Sequence, residues 1–240
     1  MATRRFALVT AALAALLAAG MVAPAAAEDA ASVTEETRQE WREHMAGLGI
    51  SSAVRNVLVE KLERGVLPDS MIDGVDPVSS KTYREGGFDV TKKTFQDGSV
   101  SLTAVEVAQI AKRDDGRKDP TALGTSISGC VTNTSGTVTY YRDCLVRYTG
   151  IIWHDSFRAD YAVANRNTAQ VLGVRSWSIT IIGGSYSEVD LSIVRQRQTS
   201  TLPAVARLAY NLQVVGGTPI QTRAWTELRL RGTTRSVVAG

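Results

Sequence analysis

An alternation of apolar and polar residues with a period of two runs through the second half of this 240-residue chain and limits its fold more than any other feature. In residues 151–163, Phe157 and Tyr161 share one phase, while Arg158 and Asp160 share the other. The same alternation recurs later at Ala206, Leu208, Tyr210, Leu212 and Val214. Successive side chains of a β-strand point to opposite faces, so this pattern predicts strands with one buried face.

About seven such strand candidates follow residue 126, and turn residues separate nearly all of them. They span residues 126–131, 138–148, 151–163, 171–182, 189–198, 204–215 and 222–231. An earlier hairpin is predicted where Asp97 and Gly98 turn the alternating run that starts at Phe88 into residues 100–107. Because no helical period separates the strands, residues 82–240 are predicted to form a mainly β domain, either an antiparallel β-sandwich or a jelly-roll-like barrel.

An N-terminal helical hairpin is predicted for residues 28–65, ahead of the β domain. Ser32 and Glu35 have the spacing of a capping box for the first helix. The second helix is predicted from Ser52 to Arg64, with Gly65 as its C-terminal cap. Two helices of this size do not fold alone, so we expect the hairpin to dock on the β domain. The side chains expected to make this contact are those of Trp41, Val54, Leu58 and Leu62.

Residues 66–81 are predicted to form a turn-rich connector between the helices and the β domain, because Pro68, Gly74 and Pro77 interrupt regular structure. Four polar side chains of the connector can either accept backbone hydrogen bonds or bind a cation, and we favour the capping role. These side chains belong to Asp69, Ser70, Asp73 and Asp76.

The first 27 residues have the pattern of a signal peptide, with two arginines, an apolar run over residues 6–22 and the small residues Ala25 to Ala27. We therefore predict cleavage after Ala27 and secretion without a membrane anchor. Arg4 and Arg5 leave both the general export route and the twin-arginine route open. Cleavage lowers the formal net charge from +3 to about +1, and no concentrated basic face is evident. Nucleic acid is therefore not an expected partner.

Cys130 and Cys144 are the only cysteines of the chain, and in an exported protein they predict a disulfide. Closing this loop would remove about 3 kcal/mol of unfolded-state entropy in the loop-closure model. Two buried free thiols are the alternative. A metal site is disfavoured because no histidine or second cysteine pair lies nearby to complete four ligands.

No combination of residues in the sequence identifies a catalytic site. His154, Asp155 and Ser156 have the residue types of a hydrolytic triad, but neighbours on a strand point to opposite faces and do not converge. A glycosidase needs two carboxylates, and the sequence selects no pair among the eligible residues. These are Glu85, Asp89, Glu106, Asp160, Glu188, Asp190 and Glu227. The chain has no Gly-rich phosphate loop, dinucleotide fingerprint or zinc-ligand spacing, so no cofactor is expected.

Aromatic side chains can stack on sugar rings, and the chain has several of them on predicted strands. They are Trp153, Trp177, Trp225, Tyr140, Tyr141 and Tyr186. Trp225 is the best candidate for an exposed ligand-binding residue, because Arg223, Glu227 and Arg229 share its phase and Leu228 does not. The alternative role for Trp225 is to cover a sheet edge or to contact a neighbouring element.

Four short motifs resemble those of uncharacterised secreted proteins of actinobacteria. They are EKLERG at the end of a helix, LPDSMIDGVDPVS in the connector, FQDGSVSL in the hairpin and SISGC followed by a second cysteine. The resemblance implies an extracellular location and a β-rich fold, and it implies no activity or ligand.

Together these features predict a secreted, disulfide-linked protein that binds an extracellular partner, with glycans as one ligand class. A secreted carboxylate-dependent glycan hydrolase and a structural component of an envelope or spore coat are the alternatives. An enzyme requires carboxylates that converge in a concave pocket, whereas a binding protein requires an exposed aromatic or loop surface. A structural component would present an open sheet edge or a broad apolar patch. The sequence leaves the oligomeric state open.

Overall fold

The computed structural model describes residues 33–110, 129–214 and 220–240. Two antiparallel β-sheets form a sandwich, two helices lie on its N-terminal side, and 58% of the described residues are in strands. The sheets are not closed, so the β-sandwich prediction is confirmed and the jelly-roll-like barrel is not formed. The predicted signal peptide, residues 1–27, lies outside the described residues.

Helices occur near the start of the described chain, and strands make up most of the rest. The helices are α1 (Glu35–Gly47) and α2 (Ser52–Glu63), followed by a 3-10 turn at Asp69–Met71. The strands are β1 (Ser79–Glu85), β2 (Phe88–Thr94), β3 (Val100–Glu106), β4 (Gln109–Ile110), β5 (Val131–Ser135), β6 (Val138–Thr149), β7 (Trp153–Ala164), β8 (Thr168–Ile181), β9 (Gly184–Arg195), β10 (Ala204–Val214), β11 (Ile220–Arg231) and β12 (Thr234–Ala239).

The strands divide into a large sheet of eight and a small sheet of four. The large sheet has the order β1, β2, β3, β6, β7, β8. β3 and β5 pair with different halves of the same edge of β6, and β4 joins β5 through a short parallel pairing. The small sheet has the order β9, β10, β11, β12. β1 and β12 are therefore edge strands of the two sheets.

The core lies between the sheets and follows the alternation of the sequence. Phe157 and Tyr161 on β7 are fully buried, as is Leu208 on β10. Arg158 and Asp160 belong to the opposite phase, and both are only partly buried. The period-two pattern therefore predicted correctly which face of these strands is buried.

The helices pack against one end of the sandwich and share its hydrophobic core. Trp41, Leu58 and Leu62 have no exposed surface, and Val54 packs against the core while partly buried. The indole Nε1 of Trp41 donates a hydrogen bond of 2.7 Å to the carbonyl oxygen of Ile182, which follows β8. The predicted docking of the helical hairpin is therefore confirmed.

The ends of the helices agree with the prediction at one cap and differ at the other. The N-cap of α1 is Thr34, whose Oγ1 accepts a hydrogen bond of 3.2 Å from the backbone N–H of Thr37. Ser32, the predicted cap, lies outside the described residues. Gly65 follows α2 with a φ of +72° and donates its N–H to the carbonyl of Leu62 at 3.0 Å, as the left-handed cap requires.

The sequence analysis missed three strands, β1, β12 and the two-residue β4. β1 begins at Ser79, inside the predicted connector, and every one of its residues is exposed. A strand without a buried face shows no apolar alternation, and β1 is held by its antiparallel pairing with β2. β12 follows a tight turn after β11 and adds the fourth strand of the small sheet. The connector proper therefore ends before Ser79.

The hairpin of β2 and β3 and the disulfide were predicted more accurately. β2 and β3 pair over their full lengths, and Gly98 in the turn has a φ of +79°. The strand predicted at residues 126–131 overlaps the observed β5 only at Val131; residues 126–128 lie outside the described range, and Gly129 and Cys130 are not in a strand. Cys130 and Cys144 form a disulfide that joins the start of β5 to β6, and both residues are buried.

Across residues 33–110, 129–214 and 220–240, no helix has both the length and the apolar character needed to cross a membrane.

Candidate functional site

The outer face of the small sheet holds the strongest candidate for a binding site. On β10 and β11 the apolar phase is buried, and the other phase forms cross-strand rows on the outer face. The rows pair Asn211 with Arg223, Ala209 with Trp225 and Arg207 with Glu227. The strand phase predicted around Trp225 is therefore the observed one.

A polar groove of about 370 Å³ opens on this sheet beside the row of Asn211 and Arg223. Its lining consists of hydroxyl, amide and guanidinium groups together with one aromatic ring and one leucine. The lining residues are Ser185, Tyr186, Ser187, Asn211, Leu212, Gln213, Gln221, Thr222 and Arg223. The groove therefore presents both donors and acceptors of hydrogen bonds, and its lining has no carboxylate.

A hydrogen-bond network orients the polar side chains at the edge of the groove. Arg223 Nη1 donates a hydrogen bond of 3.0 Å to Asn211 Oδ1, and Asn211 Nδ2 donates one of 2.8 Å to Glu188 Oε2. Glu188 has a φ of +49° and lies where the register between β9 and β10 shifts. A bulge of this kind re-aims the side chain that it carries. The hydrogen bonds to Arg223 and Glu188 therefore fix the orientation of the Asn211 side chain.

Trp225 borders the next row and is half-buried rather than exposed. The guanidinium carbon of Arg207 lies 5.5 Å from the centroid of the indole. The backbone of Trp225 exchanges hydrogen bonds of 2.7 and 3.0 Å with Gly240. A Cβ on Gly240 would approach the indole Cζ2 to 2.9 Å, so the ring lies directly against this glycine. The indole of Trp225 is thus in contact with Arg207 and Gly240, and part of its surface remains accessible to solvent.

Glu227 lies beside Trp225 and is clamped between two arginines. Its side chain has 3% of its surface exposed, while those of Arg207 and Arg229 are 40% exposed. Arg207 Nε donates to Glu227 Oε1 at 2.7 Å, and Arg229 Nε donates to Oε2 at 2.6 Å. Both carboxylate oxygens are therefore occupied by the arginines. Glu227 fixes the position of Arg207 and, through it, of the Trp225 ring.

Among the described residues, Tyr83 on β1 and two aromatic residues that contact each other are more exposed than Trp225. The exposed fractions of Trp177 and Tyr186 are 43% and 41%, and their rings meet edge to face with centroids 6.1 Å apart. Tyr186 also contacts the ring of the buried Tyr210. Trp177 follows Ser176, whose φ is +52°, at a shift in the register of β8. The sequence could not show this exposure, because the shift changes the phase of the strand.

His154, Asp155 and Ser156 do not form a catalytic triad. Asp155 points into the core and is 2% exposed, whereas His154 and Ser156 are only partly buried. Asp155 Oδ2 accepts hydrogen bonds of 2.9 Å from Tyr210 Oη and from Thr226 Oγ1. Burial raises the pKa of Asp155 to about 7, although these two hydrogen bonds lower it. Asp155 occupies the apolar phase of β7, a signal that the sequence analysis could have used.

His154 lies on the other face of β7, next to α1. Its ring stacks with that of His44 at a centroid distance of 6.2 Å. His44 Nε2 is 2.9 Å from the carbonyl oxygen of Gly150, which fixes the ring of His44 against the end of the sheet. Burial, followed by the charges of His44 and Arg147, lowers the pKa of His154. His154 therefore contributes to the contact between helix and sheet.

The acidic residues that could serve a glycosidase do not converge. Asp160 pairs with Arg175, and Asp89 pairs with Arg84 and Arg235. The remaining ones are spread over both sheets, at Glu85, Glu106, Glu188, Asp190 and Glu227. Four of the cavities among the described residues have volumes of about 320 to 550 Å³, and none of these four has two carboxylates in its lining. In these four cavities, no acid and base pair faces a common substrate position.

The connector places Asp69 in a capping role. Its Oδ2 accepts a hydrogen bond of 3.2 Å from the backbone of Asp97, and Asp97 Oδ2 accepts one of 2.9 Å from the backbone of Asp69. Lys61 Nζ lies 2.8 Å from Asp97 Oδ2 and 3.3 Å from Asp69 Oδ1. These contacts join α2, the connector and the β2–β3 turn. In the described ranges, no three His, Cys, Asp or Glu residues come close enough to hold a metal ion.

Comparisons with protein-family models, curated proteins and solved structures find no match for this chain.

Proposed function

We propose that this protein is a secreted carbohydrate-binding protein whose site is the polar groove on the small sheet. The observation that carries the proposal is the lining of the groove, where Asn211, Gln213, Gln221 and Arg223 stand beside serine hydroxyls. Each sugar hydroxyl both donates and accepts hydrogen bonds, so amide and hydroxyl groups suit it, and fixed polar groups favour specificity. Trp225 borders this surface and supplies an apolar ring for the C–H face of a sugar.

Secretion is part of the proposal. The sequence of residues 1–27 has the organisation of a signal peptide, and the disulfide between Cys130 and Cys144 suits an oxidising compartment. An extracellular location gives access to polysaccharides and to the glycans of a cell envelope. An open groove on a sheet buries less ligand surface than an enclosed pocket, so we expect modest affinity for a single glycan chain.

The proposal is tested with a glycan array that includes neutral and acidic oligosaccharides, followed by titration calorimetry on the glycans that bind. Asn211→Ala removes the contacts to Arg223 and Glu188 and is expected to weaken binding about tenfold, the equivalent of about 1.4 kcal/mol. Trp225→Ala is expected to have an effect of similar size.

Matched controls remove an asparagine and an exposed aromatic residue elsewhere. Asn133→Ala changes an exposed asparagine on β5, and Tyr83→Ala changes an exposed aromatic residue on β1, in the other sheet and outside the groove lining. Neither is expected to change the affinity by more than about twofold. A wild-type protein that binds no glycan, or groove variants that bind as well as the controls, would refute the proposed function.

The hydrolase and structural alternatives receive less support. The described cavities bring no two carboxylates together, as a carboxylate-dependent hydrolase requires. A structural component would need a sheet edge suited to assembly. The edge strand β1 carries Lys81, Arg84 and Glu85, and charged side chains on an edge strand oppose the addition of another strand.

A further inference from the structure

The outer face of the large sheet contains a second cavity, of about 320 Å³, which differs in character from the polar groove. Its lining combines aromatic and aliphatic side chains with one basic and one acidic group. The lining residues are Tyr83, Glu85, Gly86, Phe88, Val90, Leu102, Ala104, Arg147 and Thr149. We call this cavity the aromatic cup.

The strand register explains why a cup forms on an open sheet. Tyr83 lies opposite Val90, Val90 opposite Ala104, and Ala104 opposite Arg147, which gives one continuous row across four strands. Val90 and Ala104, in the middle of this row, are each 9% exposed and form its floor. Larger side chains stand around them, and one of these, Tyr83, is 38% exposed. The cup thus shows apolar surface to solvent on the outer face of the large sheet.

Arg147 supplies the positive charge of the cup. Its guanidinium carbon lies 5.1 Å from the centroid of the Phe88 ring, which places the group over an apolar surface. Among the described residues, no carboxylate oxygen comes within 4.0 Å of this guanidinium, whereas Arg84, Arg158 and Arg175 on the same sheet all have acidic partners. A guanidinium stacked in this way keeps its N–H groups available for a planar anion.

The second charged group limits which anions fit. Glu85 lies on β1, at the opposite side of the cup from Arg147 on β6, with two strands between them. A ligand with a single carboxylate can direct it to Arg147 and leave its apolar part over Val90 and Ala104. A second negative charge near Glu85 would be repelled.

From this arrangement we propose that the aromatic cup binds small aromatic monocarboxylates, with the carboxylate on Arg147 and the ring between Tyr83 and Phe88 over the Val90 and Ala104 floor. A bidentate contact between a guanidinium and a carboxylate fixes the orientation of the acid. The cavity is at the small end of the range for ligand sites, which matches a compound of one or two fused rings. This site is independent of the polar groove and of the proposed glycan function.

The experiment compares two probes of the same shape, 2-naphthoate and 2-naphthamide, by titration calorimetry at neutral pH. The acid is expected to bind with a Kd of about 1 mM, which corresponds to the usual binding free energy per non-hydrogen atom of a ligand. The neutral amide is expected to bind at least about tenfold more weakly. Arg147→Gln is expected to abolish the preference for the acid. Glu85→Gln is expected to allow binding of 2,6-naphthalenedicarboxylate, which the wild type binds at least about tenfold more weakly than the monoacid.

Two further variants separate a binding role from a purely structural one. Tyr83→Ala removes one wall of the cup and is expected to weaken binding of both probes. Lys81→Gln removes a positive charge from the same strand outside the cup lining, and binding of the acid is expected to stay within about twofold of wild type. Circular dichroism spectra of each variant are compared with the wild-type spectrum to check that the variant is folded. Equal affinity for the acid and the amide, no binding of either, or an unchanged preference in Arg147→Gln would overturn the proposal.

Discussion

Replacing Asp155 with asparagine should stabilise this protein at alkaline pH, whereas at acid pH its stability should change by at most about 2 kcal/mol. Asp155 is 2% exposed between the two sheets, and its Oδ2 accepts hydrogen bonds from Tyr210 and Thr226. Its Oδ1 has no hydrogen-bond partner among the described residues. The carboxylate is therefore buried without a cation beside it, and the neutral acid is the form that the core accommodates best.

The magnitude follows from the pKa of Asp155, which burial raises from 3.8 to about 7. Below about pH 4, Asp155 is protonated in both the folded and the unfolded chain, so its ionisation does not lower the free energy of unfolding. Between about pH 4 and pH 7 only the unfolded state releases the proton, so the free energy of unfolding falls as the pH rises. Above about pH 7 the loss is complete, and about three pKa units correspond to about 4 kcal/mol.

The asparagine introduced by Asp155→Asn would be neutral throughout this range. Its side-chain oxygen can accept the hydrogen bonds from Tyr210 and Thr226, and its amide nitrogen would take the position of the unpartnered oxygen. The variant should therefore lose the pH dependence that comes from this site. At pH 8 we expect it to be more stable than the wild type by up to about 4 kcal/mol. At pH 4 the difference should be at most about 2 kcal/mol, the cost of an unpaired amide group.

The assay is urea unfolding followed by tryptophan fluorescence at several values between pH 4 and pH 8. The quantity to compare is the slope of the unfolding free energy against pH in the wild type and in Asp155→Asn. Asp76→Asn is a suitable control, because Asp76 is exposed in the connector. If Asp155→Asn keeps the wild-type slope, Asp155 does not titrate in the folded core and the reasoning is wrong.

Two further predictions concern how the helices are attached to the sandwich. Trp41→Ala is expected to cost about 3–5 kcal/mol, because the indole is fully buried and bonded to Ile182; a loss below about 1 kcal/mol in urea unfolding would show that α1 lies outside the cooperative core. Gly98→Ala should destabilise the protein by about 1–3 kcal/mol, since φ is +79° and a Cβ would lie 2.6 Å from Val54 Cγ1. Gly47→Ala is the control for Gly98→Ala. A Cβ at Gly47 meets no atom within 4 Å, so we expect the free energy of unfolding to rise by up to about 1 kcal/mol in melting experiments. Equal losses of stability in the two variants would contradict this account.

The β-sandwich could be predicted because most of its strands have one buried face. The alternation in β7 and β10 marks the core side of each sheet directly in the sequence. The sequence of β1 shows no such alternation, since all of its residues are exposed. Its position in the sheet is determined by backbone pairing with β2. Strands that bury a face can thus be recognised from local sequence, and strands held only by pairing cannot.

The candidate sites depend on contacts between strands that are distant in sequence. The phase of Trp225 was predictable from β11 alone, but its partial burial depends on Arg207 of β10 and on Gly240. The polar groove requires Asn211 to face Arg223 and the bulge at Glu188 to turn a carboxylate toward Asn211. Register and bulges are properties of the assembled sheet, so the sequence supplied the residue types and not their grouping.

The attachment of α1 also has a consequence for the order in which the chain folds. Trp41 and its hydrogen-bond partner Ile182 are 141 residues apart, and His44 and its contact at Gly150 are 106 residues apart. The helical hairpin leaves the ribosome early, and α2 can contact the β2–β3 turn soon afterwards, but the contacts of α1 with Gly150 and Ile182 form only after β6 to β8 have been synthesised. Short helices are marginal alone, and contacts of such long range slow folding. The docking of α1 is therefore completed late, after most of the polypeptide has been made.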